Sequence, residues 1–485
     1  MNFFSLEFCL LLAGALVLFY VIPPRFSTLR SLILLAACGA FYYCSQRQYL
    51  FLLPCSIVIS YLSAMVMDRI ESQTGRRAVL WLSVLLIAGA MIVFRYSSFI
   101  ADTVFRLTGR RFGEGLDLIA PLGISVYTLR ILSYLADVCR RKYAHWVNPV
   151  KYAVYVAFFP SILAGPIDRA DTFLPQLDKP QRCSYEQLQY GALLMLWGVF
   201  LKLVAADRLA IFAGNVYGSY ASQPGSYLLL ATFAYALLAY CDFFAYSSFA
   251  RGVGALFGFS LKKSFASPYL SQSVAEFWRS WHVSLSSWLR DYVYIPLGGS
   301  RCGRFRRYVN LTLTFLIGSL WYGASWNFLV WGALNAAFLI FEDLISPVLP
   351  KAAEGKKGRV VRILKRVAVF LALCPGWVFF FGNGTRNALK ILLRIVTEFN
   401  AGALFSPELF SQGLYKADVC VVLYALLVLR LADRLSRQGK DAVRSLQKLY
   451  LPYRWFLYIV LIFSVLLFGK YGTVLAPVQF LFVQP

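Results

Sequence analysis

The sequence predicts an all-α, polytopic integral membrane protein, and three observations carry that prediction. Of 485 residues, 59% are hydrophobic and only 15% are charged, with a mean hydropathy of +0.62. A soluble domain carries about a quarter charged residues. Apolar runs long enough for the roughly 30 Å hydrocarbon slab recur along the chain. They fall near 4–22, 28–45, 49–66, 78–96, 117–137, 150–165, 188–206, 226–247, 309–347 (long enough for two), 362–382, 418–432 and 455–470. About eleven crossings are expected. Aromatic residues make up 17%, in keeping with the Trp and Tyr belts at membrane interfaces.

The N-terminus enters its first apolar run by Phe3 with no basic segment before it. That favours a retained signal anchor over a cleaved signal. Lys and Arg number 48 against 23 Asp and Glu. In a soluble protein such an excess would suggest nucleic acid, but cytoplasmic loops of membrane proteins gather basic residues. No nucleic-acid partner is expected; membrane lipids are. Arg301, Arg304, Arg306 and Arg307 precede the 309–347 run, and Lys351, Lys356, Lys357, Arg359, Arg362, Lys365 and Arg366 follow it. Both clusters face the cytoplasm if that run crosses twice. Arg430, Arg434, Arg437, Lys440, Arg444 and Lys448 recur every three or four residues, which reads as one basic helix against anionic headgroups. The ten cysteines contain no CxxC pair and there are only two histidines, His145 and His282, so no metal site is expected. His145, beside Trp146 in a polar loop, reads as solvated or interfacial.

The whole chain, 1–485, reads as a single integral membrane domain. Residues 1–115 are plain scaffold spans, 117–335 hold most of the polar residues, glycines and prolines, and 336–485 return to spans with basic loops. The longest polar stretches are too short for a separate core, and no internal repeat is evident.

Residues 264–300 are too polar to cross lipid yet carry Trp278, Trp281 and Trp288. Placed on one helix near 276–292, Trp278, Trp281 with His282, Leu285 and Leu289 share a face. Arg279, Arg290 and Asp291 belong to the same stretch. This is an interfacial helix or one dipping into a cavity. His282 on its aromatic side reads equally as a packing residue or as a proton carrier. Asp242, near the end of a long span, requires a partner, and Arg130 is a candidate. The stretch FPSILAGPIDR (159–169) breaks a span at Gly165–Pro166, and SLWYGASW (319–326) interrupts another with small residues. The first suits a cavity lining; the second suits a cavity lining or close helix packing.

The stretch EFWRSWHVSLSSWLRDYVYIPLGGSR (276–301), with LWYGASWNFLVWG (320–332), closely resembles the membrane-bound O-acyltransferases. Further matches are PLGISVYTLRILSYLADVCR (121–140), FFPSILAGPIDRADTFLPQL (158–177) and DFFAYSSFARGVGALFGF (242–259). The branch most similar is the membrane subunit of bacterial polysaccharide O-acetylation, of alginate type. The resemblance implies a funnel of tilted helices in the bacterial plasma (inner) membrane, with interfacial or re-entrant helices. It implies an acyl donor, acyl-CoA or an acyl carrier protein thioester, and a hydroxyl acceptor on exported polysaccharide. A periplasmic or extracellular acyltransferase partner often completes the transfer. No bound cofactor and no metal are implied.

Carried over by position, the resemblance makes His282 the proton acceptor and places Tyr322 where the family's LWHGASW motif has histidine. Arg130, Asp242, Trp278, Arg279, Trp281, Arg290, Asp291, Trp321 and Ser325 become substrate-binding candidates. The departures fall on polar positions. Tyr322 replaces histidine, Arg130 and Ser161 stand where glutamine is common, Ser248 replaces an aspartate and Asn335 a histidine. A phenol near pKa 10 is a poor base at neutral pH where an imidazole near 6.5 is a good one. Three readings stay open: an O-acyltransferase built on His282 with Tyr322 as donor, an inactive scaffold or acyl conduit, and a transporter of lipid-linked material.

Overall fold

The computed structural model describes residues 3, 5–109, 118–143, 147–163, 165–346 and 355–471. His145 and Lys351 lie outside them. Among the described residues every regular element is helical.

In chain order the helices are α1 (Leu6–Val21), α2 (Ser27–Ser45), α3 (Leu52–Arg69), α4 (Gln73–Thr108), α5 (Ile124–Cys139), α6 (Pro149–Ala157), α7 (Ala170–Asp178), α8 (Tyr185–Phe200), α9 (Asp207–Gly218) and α10 (Gly225–Leu256). A π-helical turn, Leu201–Ala206, joins α8 to α9. There follow α11 (Val274–Ser280), α12 (Val283–Leu289), α13 (Arg304–Tyr322), α14 (Trp326–Ile345), α15 (Gly355–Phe381), α16 (Thr385–Thr397), α17 (Glu408–Ser411), α18 (Lys416–Arg437), α19 (Ala442–Gln447) and α20 (Leu451–Phe468).

Eight helical segments among the described residues are long and apolar enough to cross a membrane. Leu6–Val21 is a shorter apolar helix of 16 residues. The span expected over 150–165 is corrected: α6 has nine residues, about 14 Å at 1.5 Å per residue, too short to cross. Pro160, Gly165 and Pro166 turn the chain out of the helix there. Gly165 is obligatory, because a Cβ at that position would meet the Ser161 Cα at 2.4 Å. Leu82, Leu85 and Leu86 of α4 are more than half exposed, as a lipid-facing helix requires.

The chain forms two compact units, one of Met1–Leu193 with Ala250–Lys262 and one of Leu194–Phe249 with Lys263–Phe482. In the first, Phe158, Phe173 and Phe259 form an aromatic knot. Beside it Arg130 is 1% exposed. Its guanidinium donates to the Ser161 hydroxyl and to the carbonyls of Tyr155, Val156 and Pro166. These are acceptors left open where α6 stops, so a fork of five donors suits the position.

The second unit holds a buried charge cluster and the aromatic site described next. Lys202, on the π-turn, donates to Asp242 at 2.7 Å and lies 3.1 Å from Asp207. The partner of Asp242 is therefore Lys202, and the proposed pairing with Arg130 is corrected. Lys202 hydrogen-bonds Asp242, whereas Asp207 is held by charge, its buried Oδ1 making no hydrogen bond.

Candidate active site

The single helix expected over 276–292 is two helices. α11 ends at Ser280 and α12 starts at Val283, with Trp281 and His282 between them. Ser273 caps α11 through the Glu276 N–H. His282 adopts φ 40° and ψ 56°, left-handed backbone that a non-glycine residue enters at a cost of about 1–3 kcal/mol. The His282 Nδ1 accepts from the Leu285 N–H at 3.4 Å, capping α12, and lies 3.3 Å from the Ser284 hydroxyl. The Val283 N–H donates to the Ser264 carbonyl at 2.7 Å, and the Ala266 N–H to the Ser280 carbonyl at 3.0 Å. The break is thus fixed from both sides by backbone bonds to 264–266.

The His282 side chain is 2% exposed, enclosed by the rings of Phe243, Phe265 and Trp321. Burial in that aromatic shell pushes its pKa down, to about 4, so the ring is neutral at pH 7. Tyr322, the last residue of α13, shares Phe243 and Trp321 with His282 as ring neighbours. Its oxygen accepts from the Trp281 indole N–H at 3.4 Å. Trp331 and Phe380 close its other sides.

The hairpin of α13 and α14 sets Tyr322 in place. A Cβ on Gly332 would meet the Ser319 Oγ at 2.6 Å, so glycine is what lets α14 lie against α13. A cavity of about 320 Å³ opens beside this hairpin. Trp278, Arg279, Ser286, Arg290, Ser319 and Tyr322 are among its walls. His282 is not, although its neighbours Val283 and Leu285 are.

The other candidates divide accordingly. Trp278 packs on Phe315 and Trp331, and its indole N–H is buried without a partner. Arg290 pairs with Asp291 at 2.8 Å in an exposed position. Trp321 borders both His282 and Tyr322, and Ser325 stands at the start of α14. Asp242 is held in the charge cluster, and Arg130 lies in the first unit at the α6 break. Two contributors escaped sequence reasoning. Ser284 is one of four serines in SLSS and its surroundings, with nothing to mark it. Lys202 did carry a signal: a lysine inside an apolar run needs a counter-ion. No group of three or more His, Cys, Asp or Glu side chains among the described residues is placed to hold a metal ion.

The model of the MBOAT, or membrane-bound O-acyltransferase, family matches residues 138–383. The chain is 34% identical over 421 residues to "Probable alginate O-acetylase AlgI" of Azotobacter vinelandii, covering 85% of this chain and 80% of that protein. It is 33% identical over 384 residues to a peptidoglycan O-acetyltransferase of Helicobacter pylori, covering 73% and 72%. A teichoic acid D-alanyltransferase of Bacillus subtilis is 24% identical over 292 residues, covering 55% and 70%. With its apolar helices, the protein is a multi-pass protein of the bacterial inner membrane. The chain belongs to the membrane-bound O-acyltransferase family.

Proposed function

We propose that this protein transfers an acyl group, acetyl by analogy with its relatives, from a thioester donor to hydroxyls of an exported cell-surface polysaccharide. The observation that carries the reading is a buried, neutral His282 held between two helix ends one aromatic layer from Tyr322. In the reaction, the acceptor oxygen attacks the thioester carbonyl while His282 takes its proton. The C–S bond then breaks, the ester C–O bond remains, and the thiolate leaves with that proton. Tyr322 donates its O–H to the oxyanion. Accepting the Trp281 N–H polarises that hydroxyl and makes it the stronger donor.

For His282 to act as base at Nε2, its proton must sit on Nδ1. The Ser284 hydroxyl, 3.3 Å away, is the acceptor that would hold it there. With the Leu285 N–H donating to Nδ1, the ring proton sits on Nε2; His282 acts as base at Nε2 only when that cap is released and Nδ1, now protonated, donates to the Ser284 hydroxyl. The donor is acyl-CoA or an acyl carrier protein thioester, and a periplasmic acyltransferase partner receives or completes the transfer.

Tyr322 also favours a second reading, a scaffold or acyl conduit for such a partner, since a phenol cannot replace an imidazole base. The test is the acyl content of surface polysaccharide in wild type, a deletion strain, His282→Ala and Tyr322→Phe at matched membrane levels. Loss in the deletion and both variants supports the enzyme. Loss in the deletion alone leaves the conduit, and no loss in the deletion removes both.

A further inference from the structure

The basic run expected as one helix along the membrane surface is split into two helices. α18 stops at Arg437, Gly439 turns the chain at φ +73°, and Asp441 caps α19. Arg430, Arg434 and Arg437 occupy one stripe of the last two turns of α18. Arg359, Arg362 and Arg366 occupy the equivalent stripe of α15. These six side chains line one cavity of about 510 Å³ in the second unit.

Six guanidinium groups around one hollow are not neutralised by what surrounds them. Among the described residues, the one carboxylate bonded to them is Glu276, 3.0 Å from Arg437. The charges of Arg362, Arg430 and Arg437 all act on Arg366, and the Arg366 Nε is buried without a hydrogen-bond partner. A surface run gathered only for topology would splay its side chains into solvent or headgroups. Here six line one hollow, and the buried Nε of Arg366 is left without an acceptor. Forked donors of this kind match phosphate oxygens two at a time, and three arginines on each wall offer more donors than one phosphate accepts.

We propose that this cavity is a binding site for a ligand carrying two or more phosphate groups. The shared chemistry has two sources: a soluble nucleotide diphosphate such as that of coenzyme A, or a two-phosphate lipid headgroup such as cardiolipin. The site is separate from the Tyr322 cavity and stands on its own residues, so its test is binding and not acyl transfer.

The experiment uses the full chain in phosphatidylcholine nanodiscs, melted with and without 1 mM inorganic pyrophosphate or coenzyme A, and again in nanodiscs containing cardiolipin. Wild type, Arg362→Gln/Arg434→Gln and Arg301→Gln, an exposed arginine outside the cavity, are compared. The expected result is a rise in melting temperature for wild type and Arg301→Gln, reduced at least tenfold in apparent affinity in the double variant. A rise with the soluble phosphates assigns the nucleotide source. A rise with cardiolipin that abolishes the soluble response assigns the lipid. The double variant relieves like-charge repulsion and so folds without ligand. No shift with any probe, or an equal shift in all three proteins, overturns the proposal.

Discussion

The indole N–H of Trp281 donates to the phenol oxygen of Tyr322 across 3.4 Å. The residue preceding His282 is thereby tied to Tyr322, the last residue of α13. Both rings sit in one aromatic shell with Phe243, so the α11–α12 break and the end of α13 are held as one piece. Tyr322→Phe removes the acceptor and leaves a buried N–H unpaired, which costs about 1–3 kcal/mol. Loss of one oxyanion donor lowers turnover by roughly a hundredfold or more. A melt in detergent and an acyl-transfer rate read the two effects; a Tyr322→Phe protein with wild-type values of both contradicts the arrangement.

His282 has a backbone role separable from its chemistry. Asparagine tolerates left-handed backbone and caps helices, so His282→Asn melts close to wild type. His282→Ala loses the cap and keeps the strained backbone, and is less stable by about 1–2 kcal/mol. Equal melting of the two variants would mean that the Nδ1 contact with Leu285 contributes nothing.

Lys202 lies between two carboxylates, so removing the cation is worse than removing one anion. Lys202→Met removes the cation that pairs with both Asp207 and Asp242, a loss of about 3–5 kcal/mol. Asp242→Asn leaves Lys202 with Asp207 at 3.1 Å and costs less. Thermal melting ranks them, and the opposite order contradicts the cluster as described.

The pH dependence of acyl transfer follows from burial of His282, whose pKa is pushed down to about 4. A base acts in its neutral form, and lowering the pKa extends that form to more acid conditions. The His282-dependent rate is therefore level from neutral pH to about pH 5 and falls only near pH 4. A fall with a midpoint near 6.5, the value of a solvated imidazole, would mean that the ring is hydrated in the working protein.

The spans were legible because apolar runs of that length have one physical explanation. The runs at 28–45, 226–247 and 455–470 correspond to α2, α10 and α20. The run at 150–165 misled because hydropathy registers Phe158, Phe159 and Ile162 as lipid-facing. They are buried in the protein around a chain break. The break at Trp281–His282 left no trace, since neither glycine nor proline marks it. It is held by long-range bonds to 264–266, which no local propensity encodes. His282 and Tyr322 were readable as residue types in a motif. Their shared shell, Ser284 at Nδ1 and the facing arginine stripes of α15 and α18 depend on which helices meet, and so emerge only in three dimensions.

The most direct test of the account is polysaccharide acylation in a strain whose chromosomal copy carries His282→Asn, with its membrane level verified. This variant keeps the backbone and the cap while removing the proton acceptor. The account predicts that acylation falls to the level of the deletion strain. Acylation at the wild-type level, from a folded His282→Asn protein, would contradict His282 as the base and leave the chain as a conduit.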